Sequence, residues 1–419
     1  MYNNNINFIN KIKKIADDFY SGKINENTFT DPYEKRFLDI LKTYRTTIDN
    51  LAKNSKARWH DHTVISGRFP PVFSNIEKEY LINSVLDNPI QQDEIAVAIS
   101  YGCKCNCKQC YITDFKDPNR KELSVGELKN VFQNIIDIGA WHIDITGGEP
   151  FDHPQFFEIM DQIPKDKATT MVATNGLNLN EETIENIKKS NIMLLKVSLD
   201  SYKKSVHDKN RAVKNSYDHV INGIKLLQKN NIYFFINAFV EKECWLDNEL
   251  EKRIQVCMDL GITKFNIVTP LNIGNLKNRQ DLLLTLKDRE YIYSLKNKYE
   301  NENIIIHVFP DWELRKGCFS GRGRIYINPY GDIYPCNFDT EKCYGNILKD
   351  NLSDVIKAMH KDIPERRKYC VSSNVTLDLL ESLGVKYDVF MKNKPIIDLY
   401  RMFKSFKDDF NKLNLGLVK

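Results

Sequence analysis

The chain has 419 residues, of which 42% are hydrophobic and 28% charged, and a net charge of +4 at neutral pH. A chain this long can bury about three quarters of its unfolded surface, and at roughly 150 residues per domain it holds two or three domains. So slight a basic excess argues against a dedicated nucleic-acid binder, which concentrates Lys and Arg on one face. No apolar run approaches the roughly 18 residues that span a bilayer. The opening stretch MYNNNINFINKIKKIADD lacks the apolar region and small-residue cleavage site of a secretory signal. We therefore expect a soluble, cytoplasmic protein without nucleic-acid or membrane partners.

Residues 1–92 are rich in Asn and Lys, with Ile9, Ile12, Ile15 and Phe19 at helical spacing. They read as a helical N-terminal extension. Thr30-Asp31-Pro32 marks a helix start, because the first turn leaves unpaired the N–H that proline lacks. Gly67-Arg68-Phe69-Pro70-Pro71 is turn-prone. His60-Asp61-His62 reads as an ordinary loop, since adjacent side chains point apart and no further ligand accompanies them.

From residue 93 short apolar runs alternate with amphipathic segments. The predicted strands are Ile95–Ser100, Trp141–Thr146, Thr169–Ala173, Met193–Leu199, Tyr233–Val240 and Lys264–Val268. Helices are predicted over Val125–Ile138, Glu181–Lys189, Ser216–Lys229 and Leu250–Leu260. Six strand–helix units at this spacing predict an α/β fold, a partial (β/α)6 TIM-like barrel over residues 93–310 with right-handed crossovers. In such folds chemistry gathers at the C-terminal ends of the strands. From 311 to 375 the pattern changes to Gly-rich, Cys-containing loops and a short strand pair, a small hairpin domain. Residues 376–419 read as a C-terminal helical extension, with Pro395–Phe410 a basic amphipathic docking helix.

The ten cysteines are unevenly placed: Cys103, Cys105, Cys107 and Cys110 fall within eight residues, and Cys318, Cys336, Cys343 and Cys370 lie late. In an unsecreted chain thiols stay reduced, so such clusters point to metal or redox chemistry before disulfides. The first cluster follows the first predicted strand, where a catalytic loop belongs. Zinc would need all four of its thiols in one tetrahedron, or a remote fourth ligand. An iron–sulfur cube spreads its ligands over separate irons. The spacing Cys103-x3-Cys107-x2-Cys110 leaves Cys105 spare and one iron open.

CKCNCKQCY resembles the CxxxCxxC signature of the radical S-adenosylmethionine (radical SAM) enzymes. The resemblance implies a [4Fe-4S] cluster whose open iron chelates the amino and carboxylate groups of SAM. One electron then cleaves the sulfonium to a 5′-deoxyadenosyl radical that abstracts a substrate hydrogen, leaving the protein to orient and exclude water. The electron implies an external reductant of flavodoxin or ferredoxin type. Further motifs follow in the family's order. Gly147-Gly148-Glu149-Pro150 resembles the GGE motif, in which glycines allow close backbone approach and a carboxylate accepts from an ammonium. Asn175 offers a polar side chain at the third strand end. Ser198 and Asp200 match ribose-binding positions, and Arg211 a position holding the SAM carboxylate, a task that suits a guanidinium. One departure stands out: where the family commonly has an aromatic residue before the third cysteine, this chain has Gln109, with Tyr111 just after.

The late region, with Cys318, a Pro-Tyr-Gly331-Asp turn and Cys336 in a Gly-x4-Cys element, resembles the SPASM and twitch extensions that hold auxiliary clusters. Four cysteines limit it to one auxiliary [4Fe-4S] cluster, with Cys318, Cys336 and Cys370 as preferred ligands and Cys343 as a less favoured fourth. The resemblance, over residues 93–375, implies a radical SAM oxidoreductase modifying a peptide or protein, as in ribosomal peptide maturation. The alternatives are action on a small molecule such as a sugar alcohol or nucleoside, and a non-catalytic metal-cluster scaffold.

Overall fold

The computed structural model describes residues 2–25, 29, 31–52, 58–59, 62–63, 74–86, 94–300, 304–314 and 317–385. His60 and Asp61, the Gly67–Pro71 turn and the Pro395–Phe410 helix lie outside these residues. The described part divides into two compact units, one before residue 90 and one spanning Ile90–Val385.

The first unit carries helices α1 (Tyr2–Tyr20), α2 (Pro32–Ala52) and α3 (Asn75–Leu86), with a strand pair β1 (Arg58–Trp59) and β2 (His62–Thr63). Helix α2 begins at Pro32, and Asp31 Oδ1 accepts from the Tyr33 N–H at 2.8 Å. Ile12, Ile15, Phe37, Leu41 and Ile82 form its core. Within that core Tyr20 and Tyr44 donate to the buried carboxylate of Glu77 at 3.0 and 2.9 Å. A buried carboxylate persists only where donors replace lost water.

The second unit is built on strands β3 (Glu94–Ser100), β4 (His142–Gly147), β5 (Thr169–Thr174), β6 (Ile192–Ser198), β7 (Phe234–Phe239), β8 (Lys264–Val268) and β9 (Ile305–Phe309). These seven are parallel and lie in sequence order. All six predicted strands form, and β9 adds a seventh. Helices α4 (Val125–Asp137), α5 (Phe156–Met160), α6 (Glu181–Lys189), α7 (Lys204–Arg211), α8 (Ser216–Lys229), α9 (Glu249–Asp259) and α10 (Leu286–Glu300) fall between the strands. Helix α4 starts at a capping box, in which Ser124 and Glu127 satisfy each other's backbone N–H groups. The architecture is a mixed α/β, partial (β/α) barrel.

Alternation along the strands sorts the faces. Ile95, Val97 and Ile99 of β3, Ile143 and Ile145 of β4, and Phe265 and Ile267 of β8 join one core with Leu128, Val131 and Phe132 of α4. Each such buried side chain contributes roughly 1.5–3 kcal/mol. Ala96 and Ala98, on the other face of β3, pack instead with Tyr101, Phe115, Tyr326 and Tyr330.

The C-terminal hairpin forms from β10 (Arg324–Ile327) and β11 (Asp332–Tyr334), with Tyr326 opposite Tyr334. It continues the barrel sheet, because β10 pairs parallel with β3, Arg324 beside Glu94. Strand β12 (Gly345–Asn346) completes the ten-stranded order β12-β11-β10-β3-β4-β5-β6-β7-β8-β9. Helices α11 (Asp311–Leu314), α12 (Leu352–Asp362) and α13 (Leu377–Ser382) complete the unit. Among the described residues no helix is long and apolar enough to cross a membrane.

Candidate active site at the strand ends

The Cys103–Cys110 loop leaves the C-terminal end of β3 and is clamped from two sides by backbone. On one side the Gly148 N–H donates to Ser100 O at 2.8 Å and the Glu149 N–H to Gly102 O at 2.9 Å. A Cβ on Gly148 would lie 2.0 Å from the Gly102 oxygen, and one on Gly147, at φ +131°, 2.1 Å from the Ser100 oxygen. The two glycines thus permit close approach to the cysteine loop's own backbone. On the other side, after β8, the Asn275 N–H donates to Cys110 O and Asn275 Nδ2 to Cys107 O, both at 2.9 Å. Sequence reasoning missed Gly274-Asn275; no motif marks the pair, and only its neighbours in space give it a role.

Glu149 is buried. Its carboxylate accepts from Thr174 Oγ1 at 2.8 Å, the Phe151 N–H at 3.2 Å and the Asn175 N–H at 2.6 Å. These take three of its about four lone-pair sites, so it braces β4 against β5 and keeps little capacity for a ligand ammonium. Burial pushes its pKa up to about 8 against these hydrogen bonds. Pro150, also buried, opens the one-turn helix Pro150–Asp152 beside it.

The thiols form a mutually bonded row. Cys105 shares hydrogen bonds with both Cys103 and Cys107, drawing Cys103 down to about 6 and Cys107 to about 7 while its own pKa rises. Cys110 stands apart, its pKa raised by burial. Asn175 Nδ2 donates to Cys105 Sγ at 3.5 Å, with Cys103 Sγ at 4.0 Å. Arg211 Nη1 reaches Cys107 Sγ at 3.6 Å, and its Nη2 pairs with Asp200 Oδ1 at 2.8 Å. Burial alone would weaken the Arg211 cation, but the Asp200 and Cys107 charges push its pKa up. Asp200 is fixed in turn: its N–H donates to Nδ1 of buried His207 at 3.2 Å, and its Oδ2 accepts from Gln109 Nε2 at 3.3 Å. Gln109, the departure from the aromatic pattern, therefore belongs to the same network, and its buried Oε1 has no partner among the described residues. Ser198 ends β6 beside Asn237 and has no hydrogen bond to this set among the described residues.

Among the described residues no three Cys, His, Asp or Glu groups converge as a single metal ion would require. Three cysteines spread along a loop, with amide and guanidinium donors directed at the sulfurs, suit a multinuclear cluster, whose thiolates such donors stabilise.

The late cysteines divide. Cys318, Cys336 and Cys370 line one cavity. Cys343 is exposed, with its thiol on the Gly345 carbonyl at 3.3 Å, and is not on that wall.

Residues 97–241 match the family described as the radical SAM superfamily, and residues 318–370 match SPASM, an iron–sulfur cluster-binding domain. The antilisterial bacteriocin subtilosin biosynthesis protein AlbA of Bacillus subtilis (strain 168) is 28% identical over 276 residues, 63% of this chain and 59% of that protein. The chain thus spans less than two thirds of that relative's length. An AdoMet-dependent heme synthase of Methanosarcina barkeri is 24% identical over 268 residues, 58% of this chain and 76% of that one. Among solved structures, Streptococcus suis SuiB bound to precursor peptide SuiA aligns with a TM-score of 0.54 at 18% identity, covering 70% of this chain and 72% of that one. At this identity the structural likeness carries the fold alone.

Proposed function

Since the chain carries a radical SAM domain and a SPASM domain, we propose that it is an oxidoreductase that cleaves SAM reductively and abstracts a hydrogen atom from a peptide. The observation that carries this is the Cys103–Cys110 loop, held at the strand ends between Asn175 and the Arg211–Asp200 pair. When bound, a [4Fe-4S] cluster with one open iron supplies the electron that splits SAM into methionine and a 5′-deoxyadenosyl radical. Cys103, Cys107 and Cys110 would hold it. Arg211 would orient the SAM carboxylate, Asp200 and Ser198 the ribose, and the backbone of Gly147, Gly148, Glu149 and Pro150 the methionine end, the Glu149 side chain bracing that backbone against β5. Cys318, Cys336 and Cys370 would hold an auxiliary cluster, which would supply a one-electron acceptor there.

The peptide reading is supported by what the relatives and neighbours are named for: subtilosin biosynthesis, PqqA peptide cyclisation and the SuiB–SuiA pair. In this reading residues 93–310 form the catalytic barrel, 311–375 the auxiliary-cluster domain, and 1–92 and 376–419 extensions for substrate. The reaction runs in the cytoplasm, with an electron from a flavodoxin- or ferredoxin-type donor. The heme synthase relatives favour a second reading, a small-molecule substrate. Anaerobically reconstituted protein with dithionite and SAM should form 5′-deoxyadenosine, and Cys107→Ala should abolish it. Formation undiminished in that variant overturns the assignment.

A further inference from the structure

Among the described residues, the cavity lined by Cys318, Cys336 and Cys370 carries one acidic side chain, Asp339, which is buried. Its carboxylate ties together all three cysteine-bearing segments. Asp339 lies in the turn after Cys336, where its N–H donates to Cys336 O at 3.1 Å. Its Oδ2 accepts from Ser320 Oγ, two residues after Cys318, at 2.8 Å. The same oxygen accepts from Arg367 Nη1, three residues before Cys370, at 2.7 Å. The Cys318 N–H closes the bracket by donating to Arg367 O at 2.8 Å. Both side-chain bonds fall on Oδ2, and Oδ1 has no donor among the described residues.

Resting on the reading that these three cysteines hold an auxiliary four-iron cluster, we infer that its fourth iron is ligated by Oδ1 of Asp339 and not by Cys343. Three cysteines on a four-iron cube leave one iron without a thiolate. Cys343, exposed and bonded to Gly345 O, lies off the cavity wall. Asp339 is on that wall, held by Oδ2 so that its other oxygen is oriented without further loss of side-chain freedom. Three thiolates and a carboxylate gather negative charge, which the Arg367 guanidinium, 2.7 Å from Asp339 Oδ2, offsets. Outer-shell partners of this kind orient ligating carboxylates.

The test uses the full-length chain with Cys103, Cys107 and Cys110 replaced by Ala, so that only the late site loads. Iron, sulfide, EPR spectra and reduction potential are measured after anaerobic reconstitution. The parent should hold about four irons, and Cys343→Ser should leave all four readouts unchanged. Asp339→Asn should lose one iron on oxidation and give a three-iron EPR signal. Asp339→Cys should keep the iron number and move the potential negative, because thiolate is the softer, more strongly donating ligand. Loss of that iron in Cys343→Ser overturns the inference. So does an unchanged spectrum and potential in both Asp339 variants, as an open fourth iron would give. Lower occupancy in both Asp339 variants, with no three-iron signal and no potential shift, makes Asp339 a positioning residue and overturns the ligand assignment too. A parent without iron fails the underlying reading instead.

Discussion

Gly274 stands against Cys110 so closely that a Cβ on it would lie 2.2 Å from the Cys110 carbonyl oxygen. With Gly148 pressed on Gly102 from the other side, the cysteine loop occupies a slot with a glycine on each wall. Gly274→Ala adds the cost of a side chain at φ +59°, whereas Gly148→Ala acts through the clash alone. Each should destabilise the protein by about 1–3 kcal/mol and lower iron retention at the first site, read by iron counting and thermal unfolding. Retention at the parent level in both would show that the slot does not hold the loop.

The shared hydrogen bonds of Cys105 lower the pKa of its two neighbours but do not require it as a ligand. Cys105→Ser keeps a donor at the same place and should load about four irons at the first site, with SAM cleavage within a few-fold of the parent. Cys103→Ala, Cys107→Ala and Cys110→Ala should each lose the cluster. Iron loss in Cys105→Ser equal to that in Cys107→Ala would make Cys105 a ligand.

Arg211 meets Asp200 through one terminal nitrogen and faces Cys107 with the other. Lysine cannot hold both directions. Arg211→Lys should weaken SAM binding by about ten- to a hundredfold, the scale of a charged hydrogen bond, measured by calorimetry on the reconstituted protein. Unchanged affinity would remove Arg211 from the SAM site.

His207 is fully buried, and burial holds its pKa down at about 4, against an ordinary 6.5. Between those values the unfolded chain binds the proton and the folded protein resists it. Stability should therefore be intact above about pH 6.5 and fall as the pH drops towards 4, by up to about 3 kcal/mol. Denaturant titrations across that window should show the slope, reduced in His207→Gln. An identical slope in the variant would assign it to other groups.

A substrate peptide gripped by the N-terminal unit should slow amide exchange in Tyr2–Tyr20 and Pro32–Ala52, since bound segments open less often. Exchange unchanged there, with a peptide that is turned over, would move recognition elsewhere in the chain.

The sequence by itself determined whatever is written in contiguous residues. Alternating apolar runs marked six parallel strands because burial on both faces imposes that pattern locally. The spacing from Cys103 to Cys110 and the Gly147-Gly148-Glu149 run marked the strand ends where chemistry collects. Strand β9 escaped notice because Ile304-Ile305-Ile306 adjoins the change of pattern at 311, with no further strand–helix unit after it. Only the tertiary structure decided which distant residues finish the site. Gly274 and Asn275 reach Cys107 and Cys110 across more than 150 residues, and Arg324 brings β10 beside β3 across 230. It also set Cys343 off the wall that the other three late cysteines line and put Asp339 among them, a carboxylate that no sequence motif marked. Such contacts are set by how strands and loops pack in space, and packing leaves no periodic trace in the segments it joins.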